Sequence, residues 1–314
     1  MLKNISIIIP IFNEESSIEP LYREIVNSLS NISDRYEIIF IDDGSTDSTL
    51  TNINNLIAID NNIVLVQLNR NYGKSDALQE GFNIAKYDYV ITMDGDLQDD
   101  PNEIENLINI LDEGWDCVSG WKKNRKDPLS KTIPSYFFNT FISFFSGLKL
   151  HDFNCGIKVY KSNVIKNLNI YGGLHRYIPL LLHNNGYKVT EYIVNHRPRE
   201  HGKTKYGKSR FLHGIFDFLT INFLRKYFNR PMYFFGTFGL ILSSIGLLIN
   251  IYLTYFWFQG TYIANRPLFF LAILLILVGI QSLSIGLIGE LIVNSTRNKV
   301  NKVKKIISKK WKLL

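Results

Sequence analysis

Residues 87–101, YDYVITMDGDLQDDP, place a dense group of carboxylates directly after an apolar segment. The first six residues are typical of a strand that is buried in a protein core. Four of the next nine residues are aspartates. Negative charges this close repel, and each disfavours ionisation of the next. The stretch therefore predicts that a positively charged partner lies at the end of this strand.

Three further apolar runs, residues 5–11, 38–41 and 63–66, repeat the pattern of residues 89–92, and segments of helical length separate the four runs. Strands that are apolar on both faces and alternate with helices are typical of a parallel sheet covered on both sides. The predicted fold is therefore α/β, with a Rossmann-like, mostly parallel sheet. Ligands of such sheets bind beyond the carboxyl ends of the strands.

Polar and turn-forming residues follow each predicted strand, as PIFNEE, DDGSTD, LNRNYGKSD and MDGDLQDD. Asp94 and Asp96, separated only by Gly95, can present oxygens to one hard divalent cation, and Gln98 can add a neutral oxygen. Mg²⁺ or Mn²⁺ completes such a shell with phosphate oxygens. Ordinary turns with helix caps are the alternative, and one of the two aspartates before Pro101 is predicted to cap the next helix.

The net charge of +7 hides an asymmetry along the chain. Residues 1–120 hold 6 basic and 22 acidic residues, a net −16, whereas residues 121–230 hold 20 and 5, a net +15. Residues 231–296 are neutral overall, and residues 297–314 carry +8. Blocks of opposite sign imply different partners for each block.

Residues 232–258 and 267–289 carry no charged side chain, and each exceeds the roughly 20 residues that cross a bilayer core. A short loop joins them, so both ends of this hairpin are expected on one side of the membrane, and the basic tail places that side in the cytoplasm. Residues 210–231 are predicted to form an interfacial amphipathic helix on anionic lipids, with a core helix as the alternative. The start of the chain has no signal-peptide pattern and the two cysteines have no disulfide spacing, so a cytoplasmic catalytic domain is expected.

Six motifs, in this order, resemble those of family 2 glycosyltransferases: IIPIFNEE, FIDDGSTDST, LNRNYGKSDAL, MDGDLQDDP, HDFNCGIKVYKSNV and HRPREHGKTKYGKSR. They resemble most the polyprenyl-phosphate glycosyltransferases, the relatives of dolichol-phosphate mannose synthase, and the two-span tail resembles the bacterial glucosyl branch. The resemblance covers roughly residues 5–295. It implies a cytoplasmic GT-A domain followed by membrane segments, an inner-membrane location with both termini in the cytoplasm, and this division: 1–209 GT-A catalytic domain, 210–231 interfacial helix, 232–293 two-helix transmembrane hairpin, 294–314 basic tail.

The resemblance also implies site residues. The nucleotide sugar is best matched by UDP-glucose, and N-acetylhexosamine, galactose, mannose and an aminoarabinose derivative are the alternative sugars. It would contact Pro10, Asn13, Glu14, Asp42, Asp94, Gly95 and Asp96. A Mg²⁺ or Mn²⁺ ion bridging the diphosphate would be held by Asp94, Asp96 and Gln98. The acidic residues 1–120 would attract that metal ion. The basic residues 121–230 would attract an anionic lipid acceptor at an anionic membrane.

The acceptor implied by the resemblance is polyprenyl (undecaprenyl) phosphate, and Lys and Arg are the expected phosphate partners. The candidates for acceptor or diphosphate binding are Lys122, Arg125, Lys131, Arg197, Arg199, Lys203 and Lys205. The family has an arginine where this chain has Trp121 followed by Lys122, so the acceptor role stays open among Lys122, Lys123, Arg125 and Lys131. Nucleic-acid binding and simple attraction to the membrane surface are the alternative functions of these basic segments. We expect the protein to have no nucleic-acid partner.

The expected reaction is an inverting displacement in which the lipid phosphate attacks the sugar. Asp96 and Asp152 are the predicted catalytic residues, and Asp152 acts either as a base or as an orienting group. His175 and Arg176 contact the sugar or the acceptor, or they only pack at a helix start. The competing functions are a membrane glycosyltransferase that extends a polysaccharide or lipid-linked glycan, and a non-catalytic membrane scaffold. Homo-oligomers through the membrane hairpin are compatible with the sequence.

Overall fold

The computed structural model describes residues 3–30, 32–33, 35–123, 139–198, 210–227, 230–260, 262 and 267–295. The chain divides into two compact units, Met1–Ile221 and Asn222–Leu314. The first contains a β-sheet with its helices, and the second contains two long helices.

Strands from the described part of the first unit form one mixed sheet. They are β1 (Asn4–Ile11), β2 (Arg35–Asp42), β3 (Ile63–Gln67), β4 (Tyr89–Thr92), β5 (Cys117–Trp121), β6 (Lys158–Lys161) and β7 (Val189–Ile193). The order across the sheet is β3-β2-β1-β4-β6-β5-β7, so β4 is central. Neighbouring strands are parallel except that β6 runs antiparallel to both β4 and β5. The prediction of a mostly parallel, Rossmann-like α/β sheet is confirmed.

Helices connect the strands and continue beyond the sheet. They are α1 (Ile18–Leu29), α2 (Thr49–Ile57), α3 (Lys74–Ile84), α4 (Ile104–Asp112), α5 (residues 139–146), α6 (Ser162–Ile165), α7 (Ile178–Asn184), α8 (Arg210–Tyr227), α9 (Pro231–Phe258) and α10 (Pro267–Ser295). Helix α1 shows why they form against the sheet, because its buried residues Ile18, Leu21, Ile25 and Leu29 recur on one helical face.

The continuous apolar run of β1 is explained by burial on both faces of the sheet. Ile7 and Ile9 pack in the cluster that includes Leu107 of α4, whereas Ile8 packs in the opposite cluster with Phe82 of α3. Successive side chains of a strand point to opposite faces, so both faces of β1 must be apolar. Burying each such side chain contributes about 1.5–3 kcal/mol. This arrangement fixes the carboxyl ends of β1, β2 and β4 along one edge of the sheet.

Helices α9 and α10 are both long and apolar enough to cross a membrane. Only 17% of the most apolar window of each helix is buried, which is unlike the core helix of a soluble protein. Small residues bring the two backbones together: a Cβ at Gly239 would lie 2.6 Å from the Gly279 carbonyl oxygen, and one at Gly246 would lie 2.7 Å from that of Ala272. Close approach through small residues is how membrane helices gain packing energy.

Candidate active site

The loops that follow β1 and β2 are joined by hydrogen bonds. Asn13 lies in the left-handed region with a φ of 53°, which asparagine tolerates better than most residues. Its side-chain oxygen accepts the Thr46 N–H at 2.8 Å, and its own N–H donates to Ser45 Oγ at 2.9 Å. The Glu14 N–H donates to Thr49 Oγ1 at 2.9 Å. The backbone at Asn13 and Glu14, two of the predicted nucleotide contacts, is therefore fixed against the loop after β2.

Two buried aspartates end β2 and organise the loops on either side. Asp42 accepts the Ser45 N–H at 3.1 Å and so closes the turn after its own strand. Asp43 accepts the N–H groups of Tyr72 and Gly73 at 2.7 and 2.9 Å, which holds the loop before α3. Burial raises the pKa of Asp43, because it disfavours the charged carboxyl more than these two hydrogen bonds favour it.

Asp94, which follows β4, forms an ion pair with Lys74, the first residue of α3. Burial raises the pKa of Asp94, but the positive charges of Lys74 and Lys122 outweigh it, so the pKa lies well below its usual value. Gly156 permits this arrangement, because a Cβ there would lie 2.6 Å from Asp94 Cγ. The carboxylate is therefore ionised and held in place by the protein's own lysine.

The turn from Gly95 to Gln98 follows β4, and it places the predicted metal ligands at the edge of the sheet where β1, β2 and β4 end. A Cβ at Gly95 would lie 2.8 Å from a side-chain carbon of β1, and Leu97 has a φ of 61°. The Gln98 N–H donates to Asp96 Oδ1 at 3.3 Å. The described residues contain no group of three or more His, Cys, Asp or Glu side chains that could hold a metal alone. Two carboxylates, Asp94 and Asp96, with one amide still fit a Mg²⁺-type ion whose remaining ligands are phosphate oxygens and water.

The last two aspartates of the opening stretch have basic partners inside the protein. Asp99 is completely buried and pairs with Lys122 at 2.9 Å between Oδ1 and Nζ. Asp100 caps the turn that precedes α4, as predicted, and pairs with Arg197 at 2.9 Å. Arg197 also pairs with Glu24 of α1 at 2.6 Å. The expected positive charge is thus supplied to three of the four aspartates by side chains, and the phosphate-binding roles of Lys122 and Arg197 stay predictions.

Asp152 lies inside the domain, with 1% of its surface exposed, and its Oδ1 accepts the Asn154 N–H at 3.0 Å. The neighbouring His151 faces outward instead. Its ring stacks on Trp121 with centroids 4.0 Å apart, and its Nδ1 pairs with Glu191. The contacts of His151 are therefore those of a packing residue at the sheet edge.

A narrow cleft lies beside the Asp94–Lys74 pair, and its polar lining includes Lys74, Thr92, Asn154, Lys158, His175 and Arg176. Lys158 is buried and donates to the Cys155 carbonyl oxygen. His175 Nδ1 lies 2.9 Å from Ser75 Oγ. Burial and the nearby charges of Lys74 and Arg176 hold the pKa of His175 well below its usual value, so the imidazole is neutral.

The sequence predictions missed two basic residues that line this cleft, Lys74 and Lys158, and also Ser75, which bonds to His175. No local pattern marks Lys158, because the short strand β6 (KVYK) both begins and ends with a lysine. Of the predicted residues, Pro10 is half-buried in β1 opposite Ile41 of β2. The remaining predicted basic residues lie outside the described part of the chain: Arg125, Lys131, Arg199, Lys203 and Lys205.

A mostly parallel sheet with a paired-aspartate turn after its central strand defines the GT-A class of glycosyltransferases. Residues 6–168 match the family described as glycosyl transferase family 2, and the chain belongs to that family. The resemblance seen in the motifs is therefore confirmed.

The relatives cover nearly the whole chain. The dodecaprenyl-phosphate galacturonate synthase of Rhizobium johnstonii is 38% identical over 294 residues, which are 92% of this chain and 87% of the relative. The undecaprenyl-phosphate 4-deoxy-4-formamido-L-arabinose transferase of Aeromonas hydrophila is 31% identical, over 93% of this chain and 89% of the relative.

A solved structure with the same fold is the glucosyl-3-phosphoglycerate synthase of Mycobacterium tuberculosis in complex with Mn²⁺, UDP and glucosyl-3-phosphoglycerate. It superimposes with a TM-score of 0.55 at 19% identity, over 71% of this chain and 80% of that one. At this identity the likeness supports the fold alone.

Proposed function

We propose that this protein transfers a glycosyl group from a nucleotide sugar to polyprenyl phosphate at the cytoplasmic face of the inner membrane. The observation that carries the proposal is the joining, in one chain, of the Asp94–Asp96 turn with two helices long enough to span a bilayer. The two relatives described above are named as a dodecaprenyl-phosphate galacturonate synthase and an undecaprenyl-phosphate sugar transferase. Each aligns with over 90% of this chain, which supports the same acceptor class here.

The nucleotide sugar would bind across the carboxyl ends of β1, β2 and β4, where ligands of such sheets bind. Asn13, Glu14 and Asp42 would face the nucleotide, with Pro10 and Gly95 bringing the backbone close. Asp94 and Asp96, with Gln98, would hold Mg²⁺ or Mn²⁺, which supplies charge neutralisation for the leaving diphosphate. The glucosyl-3-phosphoglycerate synthase with the same fold was solved with Mn²⁺ and UDP, and we include that ion and that nucleotide in the proposal.

The displacement itself requires little catalytic help from the side chains of the protein. The lipid phosphate is already ionised at neutral pH, so its attack needs little help from a base, and the displacement would invert the anomeric centre. Asn154 lines the cleft, whereas buried Asp152 is absent from the lining among the described residues. This favours the orienting role for Asp152, acting through the loop that it hydrogen-bonds.

The domain division predicted from the sequence belongs to the same proposal: a catalytic domain over residues 1–209, an interfacial helix over 210–231, a membrane hairpin over 232–293 and a basic tail over 294–314. The basic segments would face anionic lipid and the acceptor phosphate. Both termini would lie in the cytoplasm because lysine and arginine concentrate on that side.

The sugar expected from the sequence was glucose, carried by UDP. The relatives are named for other sugars, galacturonate and 4-deoxy-4-formamido-L-arabinose, so we widen the donor class to all three. The test is incorporation of labelled sugar into extracted lipid. Purified full-length protein would receive undecaprenyl phosphate, Mn²⁺ and UDP-linked forms of each sugar.

In this assay, Asp96→Asn is expected to remove transfer while leaving the thermal melt unchanged, because Asp96 is half-buried at the rim rather than in the core. Absence of lipid-linked label with every donor, from folded protein, would refute the proposal. It would favour either a glycan-extending transferase or a scaffold, and donor hydrolysis without transfer would separate these two.

A further inference from the structure

Arg176 is a buried cation for which the described residues supply no anionic partner. Only 8% of its surface is exposed, it lines the cleft beside Asp94, and its Nε is buried without a hydrogen bond. A buried guanidinium that has no carboxylate beside it, and whose Nε has no hydrogen-bond acceptor, is costly to keep. Such a group is explained when a ligand completes its hydrogen bonds.

The other basic side chains of the cleft have partners inside the protein. Lys74 is paired with Asp94, and Lys158 donates to the Cys155 carbonyl oxygen. His175 is bonded to Ser75. Among the described basic side chains of the cleft, Arg176 is therefore the one for which the structure shows neither an ion pair nor a side-chain hydrogen bond.

We infer that this cleft receives the carboxylate of a uronic acid, so that the donor is a nucleotide-linked uronosyl group with Arg176 as the residue that selects it. This inference rests on the proposed function. A carboxylate supplies one negative charge and two acceptor oxygens, which match the paired N–H groups of a guanidinium. A phosphate monoester carries about 1.5–2 negative charges, which exceeds the single positive charge of Arg176.

Apolar walls flank the polar groups of the cleft. Leu78 and Ile178 lie beside them, as in small-molecule sites that combine apolar walls with a few orienting polar groups. A neutral hexose would leave Arg176 unpaired, and a site built to bond a polar group rejects the analogue that lacks it.

The test compares acidic with neutral donors, and each uronate has a matched neutral hexose that differs from it only at C6. Full-length protein with undecaprenyl phosphate and Mn²⁺ would be assayed for kcat/KM with UDP-galacturonate and UDP-glucuronate, and with UDP-galactose, UDP-glucose and the UDP-linked formamido-arabinose. We expect at least a tenfold preference for one of the uronates. Arg176→Gln should lower kcat/KM for that uronate by about 10- to 100-fold, the usual effect of losing a charge-assisted hydrogen bond, and should change the neutral donors less than threefold.

Arg176→Lys should retain part of the preference, and Arg23→Gln, on the exposed face of α1, should retain all of it. A wild-type preference for a neutral sugar would overturn the inference without any variant. An equal loss with every donor, or a raised KM for undecaprenyl phosphate whichever donor is used, would overturn it as well. Failure to transfer any donor would instead refute the proposed function on which the inference rests.

Discussion

Replacing Lys122 by methionine should destabilise the first unit strongly, because it leaves the Asp99 carboxylate buried without its cation. The side chain of Asp99 is 0% exposed and that of Lys122 is 11% exposed, with 2.9 Å between Oδ1 and Nζ. Removing one partner of a buried pair costs about 3–5 kcal/mol, since the remaining charge has neither water nor a counter-ion. For a unit of this size each kcal/mol lowers Tm by about 2–4 °C, so Lys122→Met should lower it by about 6–20 °C.

The measurement is thermal unfolding of the full-length protein in detergent. Lys123→Met is the matched control, because Lys123 is the next residue, is exposed, and lies over the Trp121 ring with 5.6 Å from Nζ to the centroid. An exposed contact of this kind contributes about 0.5–1 kcal/mol, so its loss should lower Tm by about 1–4 °C. The double change Lys122→Met with Asp99→Asn should recover much of the loss, because asparagine carries no charge and still offers an oxygen to the Asp94 N–H.

Equal melting temperatures for the two lysine variants would refute the buried-pair reasoning. The same proteins also separate structure from acceptor binding. If Lys122 only stabilises the fold, the KM for polyprenyl phosphate measured well below the melting temperature should be unchanged in the double variant.

Two further changes test other contacts. Gly156→Ala should lower Tm and transfer activity together, because its Cβ would overlap both Asp99 and Asp94, and such overpacking costs about 1–3 kcal/mol; wild-type values of both would contradict the close approach. His175→Gln should reduce the loss of stability on acidification from pH 7.5 to 5.5. The folded pKa of His175 is lowered, so below the ordinary value of about 6.5 the unfolded chain takes up a proton that the folded chain does not, at up to about 1.4 kcal/mol per pH unit. Parallel Tm-against-pH curves for wild type and variant would show that His175 is not the group responsible.

Strands β1 to β4, which form one side of the sheet, could be predicted from the sequence because each contains a continuous apolar run. The runs predicted at residues 5–11, 38–41, 63–66 and 89–92 became β1 to β4 with small changes at the ends. Strands β6 and β7 carry polar residues among few apolar ones, so their patterns are weak. The antiparallel insertion of β6 between β4 and β5 is a property of the whole sheet, which no local pattern encodes.

The sequence predicted a functional site at the acidic stretch, but it did not predict which basic side chains pair with the aspartates. The metal site predicted at Asp94, Asp96 and Gln98 stays a prediction, whereas the pairing of Asp94, Asp99 and Asp100 with Lys74, Lys122 and Arg197 was not predicted. Each pair joins different elements, and which lysine or arginine meets which aspartate depends on the positions of those elements in the fold. Arg176 carried no local signal of its special position either, because its burial and lack of a partner exist only once the cleft has formed.

The Asp100–Arg197 pair has a consequence for how the protein is made. The acidic turn is complete only when a residue almost a hundred positions later has joined it, together with Glu24 from the first helix. At about 5–20 residues per second, the ribosome needs roughly 5–20 s to synthesise that interval. During this time the nascent chain already contains Asp94 and Asp96 but lacks the arginine that secures the end of their loop. Donor binding should therefore begin abruptly and late in translation, shortly before the membrane segments themselves emerge.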